Sequence, residues 1–485
     1  MFGYEKFDTI STRFLTPVNR VVEFVPRGID GPYKVLSLSA SVVPVATSVG
    51  DGYIDVNGRV DFKLVYVDLN GGVNGASYNA DFAVRIDGDL RSSDRCDVAL
   101  SVVECQAKTA SALTLSAVLK VEGIVTSVTT IEPLVEAENS FSTSKVLTLP
   151  TPAYNMTHGF FVDEETSVKD VDKILSLDTK CGLTSQKVMD KRLVLTFDTT
   201  AIVTYLEEGD IHTATFNVTS EECIDRDDVD QNDHVLALPY VKNARIVLHG
   251  VTGENVIKFE GEIGVNISAN RLVEAEVIED VFSLSYETNV TKNSFDSVAY
   301  SGENFYTERI FGQVDLPSPC ALVALPTSRI VVAKTTTENG LSIEGVAYCD
   351  IIYSTDDGLS AVCAEVPFSL PIDCNFDGDI IPYATILDTA VKIKGDVAEI
   401  NMLIEVQTAL YGHYNGSYIA EVELGAEKEV NRSGLSMYVA DEGDGLWEVC
   451  KALTATPKEI NEQNPNLNFP LRFGEKVLYF RRIAK

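Results

Sequence analysis

The chain has 485 residues, 72 of them acidic and 39 basic, for a formal charge of −33. That balance excludes a nucleic-acid backbone binder and an adsorber to anionic membrane, since both need clustered Lys and Arg. Hydrophobic residues at 45%, with Val, Ile, Tyr and Phe spread throughout, exclude disorder over most of the length.

At roughly 100–200 residues per domain the length implies three or four domains. No apolar run approaches the ~20 residues of a transmembrane helix, so no direct membrane insertion is expected. Met1–Phe7 carries neither the basic region nor the apolar stretch of a signal peptide, which points to a cytoplasmic protein. Nine well-separated cysteines without a Cys-x-x-Cys pair read as reduced thiols.

Residues 1–32 read as an N-terminal extension. Three segments after it share one pattern. The first is Tyr53–Tyr66, followed by a turn at Gly71-Gly72; the third is Leu341–Tyr353, followed by a turn at Gly358. In both, a glycine stands eight residues before the closing tyrosine, Gly58 before Tyr66 and Gly345 before Tyr353. The second, Leu193–Tyr205 with a turn at Gly209, has Phe197 in place of the glycine. Each follows an apolar leader (Val35–Ser39, Ile174–Asp178, Leu322–Pro326) and precedes a second β-rich half (Leu113–Val125, Ile257–Ile267, Val391–Gln407). The tyrosines are 139 and 148 residues apart, a period too long for a solenoid. Within the segments apolar residues alternate, as at Val60, Phe62, Leu64 and Tyr66, which is the period of half-buried strands.

The expected fold is therefore mainly β. Three tandem all-β domains of sandwich or open-barrel type are expected at 33–150, 151–300 and 301–425. The net charge then lies on the solvent faces of the sheets, where it deters edge pairing.

Residues 426–434 are polar and read as a linker. Beyond them, 435–485 holds seven basic and seven acidic residues. Leu435–Ala440 alternates as a strand, Asp441–Gly445 is a turn, and Asp444 is placed to cap the helix that follows. Thr456-Pro457 with Glu459 opens a second helix, Asn464-Pro465-Asn466 stops it, and Lys476–Phe480 closes with a strand. The module is thus a small α+β unit, strand–helix–helix–strand.

That module resembles a LysM domain, through Tyr438-Val439, Gly443-Asp444, Leu446-Trp447, Ile460, Asn464–Leu467, Pro470-Leu471 and Gly474. The resemblance implies a shallow binding groove in which Gly443, Asp444, Gly445 and Leu446 face Asn464, Pro465, Asn466 and Leu467. The family usually has Thr or Ser where this chain has Gly445, so a hydroxyl beside an N-acetyl sugar is missing. Trp447 reads as a core residue of the first helix.

Three acidic β domains ahead of one LysM module resemble the SPOCS-domain coat morphogenetic proteins of spore-forming Firmicutes. The Gly58…Tyr66 and Gly345…Tyr353 segments carry the resemblance. It implies a non-enzymatic scaffold in the mother cell, at the forespore surface, whose LysM module docks the coat-basement ATPase, a protein partner. The alternative is a binder of peptidoglycan or other N-acetylglucosamine-containing glycan in the wall or cortex.

Catalytic signatures are absent: no Gly-x-Ser-x-Gly, His-Glu-x-x-His, Walker A loop or Gly-x-Gly-x-x-Gly occurs, and the five histidines are scattered. No cofactor and no metal is expected. Asp373–Gly378 opens like a calcium loop but has Ala384 where the terminal Glu belongs, and reads as a β-domain loop. The acidic stretch Glu221–Asp230 reads as a solvated connection.

Overall fold

The computed structural model describes residues 1–27, 34–109, 112–251, 254–336, 341–372, 376–428 and 434–481. The 32/33 boundary, residues 429–433 of the linker, Asp373 and Asn375 of the calcium-like loop, and the basic residues Arg482 and Lys485 lie outside the described residues. The fold is mainly β, as its alternating patterns require, with two short helices near the end.

The first stretch contains β1 (Phe2–Tyr4), β2 (Phe7–Phe14), β3 (Val18–Phe24), β4 (Lys34–Gly50), β5 (Tyr53–Val67), β6 (Val73–Asp87), β7 (Arg95–Lys108), β8 (Thr114–Ile131) and β9 (Leu134–Ala137). The second has β10 (Phe141–Val168), β11 (Lys173–Met189), β12 (Arg192–Glu207), β13 (Asp210–Asp225), β14 (Asp233–Val251) and β15 (Glu254–Phe282). The third has β16 (Tyr286–Asp315), β17 (Ala321–Thr336), β18 (Leu341–Thr355), β19 (Gly358–Ile372), β20 (Gly378–Lys394) and β21 (Val397–Glu427).

One strand order recurs. A meander (β4-β5-β6, β11-β12-β13, β17-β18-β19) forms one antiparallel sheet, and the leading, last and penultimate strands form another (β2 and β3 with β8 and β7; β10-β15-β14; β16-β21-β20). The repeated segments Tyr53–Tyr66, Leu193–Tyr205 and Leu341–Tyr353 are the central strands of the meanders. A positive-φ glycine closes the turn after each, Gly71, Gly209 and Gly358, where a side chain would be strained. Each pair of sheets buries its own core, around Phe62 and Leu115, Phe197 and Phe259, and Ile351 and Met402.

The irregularities recur with the strands. The first strand of each meander bulges early, at Val35/Ser37, Ile174/Ser176 and Leu322/Ala324, and again near its end, at Pro44/Ala46, Leu183/Ser185 and Val332/Lys334. The penultimate strands bulge at Val102/Glu104, Val241/Asn243 and Ile386/Asp388. The leading strands bulge at Pro152/Tyr154 and Tyr300/Gly302. In the first stretch that interruption widens to Leu15–Pro17, between β2 and β3. Such bulges raise local twist and bend a strand over its partner sheet.

This pairing corrects the unit boundaries read from the sequence. The described part of the expected 1–32 extension, residues 1–27, is no appendage, because β2 and β3 pair with β8 and β1 pairs with β9. The second and third units begin with β10 at Phe141 and β16 at Tyr286, ahead of 151 and 301. Each leading strand is an edge strand, exposed on one side, so its apolar signal is weak in the sequence. Glu221–Asp225 is likewise strand: it continues β13 against β12, with Asp225 paired to Arg192 at 2.6 Å.

The three meanders close a ring. β6 abuts β11, β13 abuts β17, and β19 abuts β4. Residues of all three meanders meet there: Leu36, Val65, Leu175, Ile211, Ala324 and Ile352 share one apolar cluster. Polar links cross the seams: Ser37 donates to Asp350 at 2.7 Å, and Thr327 donates to Asp178 at 3.0 Å.

Candidate functional site

The end of the chain folds as β22 (Leu435–Val439), α1 (Leu446–Leu453), α2 (Pro457–Gln463) and β23 (Lys476–Phe480), with β22 and β23 antiparallel. α2 starts as its sequence dictates. The Thr456 hydroxyl accepts from the Glu459 amide at 3.1 Å, Glu459 accepts from the Thr456 amide at 3.0 Å, and Pro457 holds the first helical position.

The start of α1 differs from expectation. Gly445, not Asp444, is the N-cap, and the Glu448 carboxylate accepts from its amide at 2.9 Å. Asp444 instead accepts from the Tyr438 hydroxyl and from the Asp441 amide, both at 2.7 Å. That bond to a carboxylate pushes the Tyr438 hydroxyl up to about 12. Asp444 thus ties β22 to its own loop rather than opening the helix.

The groove residues fall into two loops joined by a third segment. Gly443 donates through its amide to the Leu471 carbonyl at 3.0 Å, and the Leu471 amide returns to the Asp444 carbonyl at 2.8 Å. On the other side Asn464 is engaged at both ends of its amide. It donates to the Leu478 carbonyl at 2.7 Å and accepts from the Leu478 amide at 3.0 Å. Gln463 does the same for Phe480. These two side chains occupy the free edge of β23 and so block strand addition there. Leu446 and Leu467 are half-buried against the module's core of Val449, Cys450, Ile460 and Leu471. Among the groove residues, Gly443, Pro465 and Asn466 are exposed.

A larger surface lies outside the predicted groove. On β22 and β23, Ser436, Tyr438, Val477 and Tyr479 face inward, and the alternate residues face out. Leu435, Met437, Val439, Leu478 and Phe480 are 47–61% exposed, and Leu435 stands opposite Phe480 and Met437 opposite Leu478. Five apolar side chains thus form one outward face, with Lys476 at its border opposite Val439. Alternation in Leu435–Val439 and Lys476–Phe480 was the available signal for this face. It is legible only once β22 and β23 are known to pair.

The module packs against the second β unit. Phe282 of β15 joins its core, and the Trp447 ring meets Phe282 edge-on at 4.9 Å. The Trp447 indole donates to Asp280 at 2.9 Å, and Lys451 donates to the same carboxylate at 2.7 Å. Trp447 therefore sits half-buried in the seam between module and β unit, as well as against its own helix. Burial alone would raise the Asp280 pKa; the hydrogen bonds from Lys451 and Trp447 outweigh it and hold the carboxyl below its ordinary value.

All eight described cysteines are free. Among the described residues no helix is long and apolar enough to cross a membrane, and no cluster of His, Cys, Asp and Glu could hold a metal ion. No protein-family model matches the chain, and neither a curated protein nor a solved structure matches it.

Proposed function

We propose that the chain is a non-enzymatic scaffold, built of three copies of a SPOCS-type β domain and a C-terminal LysM-type module that docks a protein partner. The observation that supports this reading best is the outward face of β22 and β23. Isolated exposed apolar residues are ordinary on a protein surface; five contiguous ones on a small module mark a contact surface. A glycan site needs free hydrogen-bonding groups, whereas Asp444 and Asn464 are engaged within the module and Gly445 offers no hydroxyl. The three β units, packed as a ring, supply a rigid base for the module. In the setting its sequence resembles, the partner is the coat-basement ATPase at the forespore surface of the mother cell.

The test is titration of the full chain with purified coat-basement ATPase and, in parallel, with N-acetylglucosamine oligomers. Met437→Asp and Leu478→Asp serve as face variants, and Asn466→Ala as a groove variant. Binding to the ATPase that the face variants lower at least tenfold supports the scaffold. Saturable glycan binding, lost in Asn466→Ala and without ATPase binding, replaces it with a role in wall or cortex.

A further inference from the structure

A cavity of about 580 Å³ lies where the three β units meet, and all three line it. The recurrent bulges make its walls comparable. Three residues before the bulge of the penultimate strand stand Ala99, Leu238 and Tyr383; opposite them on the last strand stand Glu122, Asn266 and Gln407. Two positions further along, on the same face, unit one has Ser101 opposite Lys120, unit two has Tyr240 opposite Gly264, and unit three has Thr385 opposite Glu405. The ring is pseudo-symmetric, but its polarity is not. The third unit alone contributes both a phenol and a carboxylate at these positions.

The partners of these groups differ. Lys120 is paired with Glu122 at 2.7 Å, and Asp97 with Arg95 at 2.6 Å. Among the described residues Glu405 has no counter-ion: it is 4% exposed and its Oε1 has no hydrogen-bond partner. The Tyr383 hydroxyl is also buried without a partner. The Gln407 amide donates to Glu303, so a donor of that side chain is already used. Two unsatisfied oxygens therefore border a space lined by apolar side chains such as Val42, Leu183, Leu236, Leu238 and Val332 and by polar ones such as Asn266, Ser268 and Thr385. A buried acceptor without a donor costs free energy that a ligand can recover, and a cavity of a few hundred Å³ suits a small organic molecule.

We propose that this axial cavity binds a small amphipathic organic cation, its ammonium group on Glu405 and its apolar body between the three units. An ammonium supplies the donor that Glu405 Oε1 lacks and the counter-charge that its carboxylate lacks. Nothing in this site depends on the C-terminal module.

The probe is n-hexylammonium, titrated calorimetrically into the full chain, with n-hexanol and hexanoate as neutral and anionic controls of the same body. The expected result is saturable binding of one hexylammonium per chain, at least tenfold tighter than hexanol, with no hexanoate binding. Glu405→Gln should lose at least tenfold for hexylammonium and little for hexanol. The bulk attraction of an acidic chain for cations survives this substitution, since it removes one of 72 acidic residues. Leu238→Trp, which fills the space, should abolish binding. The proposal is overturned by absence of saturable binding, by equal affinity for hexanol and hexylammonium, or by hexylammonium affinity unchanged in either Glu405→Gln or folded Leu238→Trp.

Discussion

Gly58 of β5 stands directly opposite Phe82 of β6, and the Phe82 ring covers it. A β-carbon on Gly58 would lie 2.6 Å from that ring and 2.8 Å from the Val43 carbonyl. The third unit repeats the arrangement with Gly345 and Phe368. The second unit inverts it: Phe197 fills the core from the central strand and the small Ser220 stands opposite. One aromatic ring per unit is kept and only its strand of origin changes, which accounts for the missing glycine in the second copy.

The first prediction follows from that contact. Gly345→Ala places a methyl 2.6 Å from the Phe368 ring and against the Val331 carbonyl, which belongs to a paired strand and cannot yield. Overpacking of this kind costs about 1–3 kcal/mol. Gly358→Ala, at a turn with open space around it, is strained only by its φ of 103° and should cost about 1 kcal/mol. Urea denaturation of both variants measures the difference; equal losses would mean that the ring over Gly345 is easily displaced.

The seam between module and β unit yields the second. Trp447 is the single tryptophan of the chain, so its fluorescence reports docking. Asp280→Ala leaves the indole and Lys451 without their acceptor and should weaken docking by about 1–2 kcal/mol, with a red shift in emission. The pH dependence has a definite sign. Asp280 has a depressed pKa in the folded chain, so its contribution is whole above the ordinary value near ~4 and is lost as pH falls through the lower folded value. Emission should redden in acid in the wild type, and already be red at neutral pH in the variant.

The central strands, their leaders and their turns were legible because each carries period-2 alternation closed by a glycine turn. The module was legible because capping residues such as Thr456, Pro457 and Glu459 act locally. The leading strands were not: β10 and β16 are edge strands more than 25 residues long, exposed on one side and broken by bulges, so polar residues dilute their pattern. Asp444 was misassigned because an Asp just ahead of a helix suits a cap in sequence, whereas Tyr438, brought near by the strand, captures its carboxylate. The axial cavity had no local signal at all. Glu405 and Tyr383 sit in ordinary strand patterns, and only the ring closure buries them along one cavity.

Asn464 gives the third prediction. Its amide satisfies both backbone groups of Leu478, so Asn464→Ala should destabilise the module by about 2 kcal/mol and open the edge of β23. Asn466→Ala, at an exposed neighbour, should leave stability unchanged within about 0.5 kcal/mol. Thermal unfolding followed by Trp447 fluorescence separates the two. Equal effects would mean that Asn464 is as free as Asn466 to serve a ligand.

The fourth concerns the buried carboxyls beside the axis. Burial raises Glu405 to about 7, with a smaller contribution from the like charge of Asp198, and burial likewise raises Glu303 to about 7. An unfolded glutamate titrates near ~4.3. Between those values the folded chain holds protons that the unfolded chain has released, so stability falls as pH rises from ~4.3 to ~7 and levels off above. For Glu405 the loss is on the order of 3 kcal/mol. Glu405→Gln presents a neutral isostere at every pH, so it should remove its share of this slope and stabilise the chain at pH 8 more than at pH 5. Glu303→Gln should act in the same direction through its own share. Urea unfolding of wild type and variants at both pH values tests this; a Glu405→Gln or Glu303→Gln effect equal at pH 5 and pH 8 would mean that the substituted carboxyl reaches water and ionises normally.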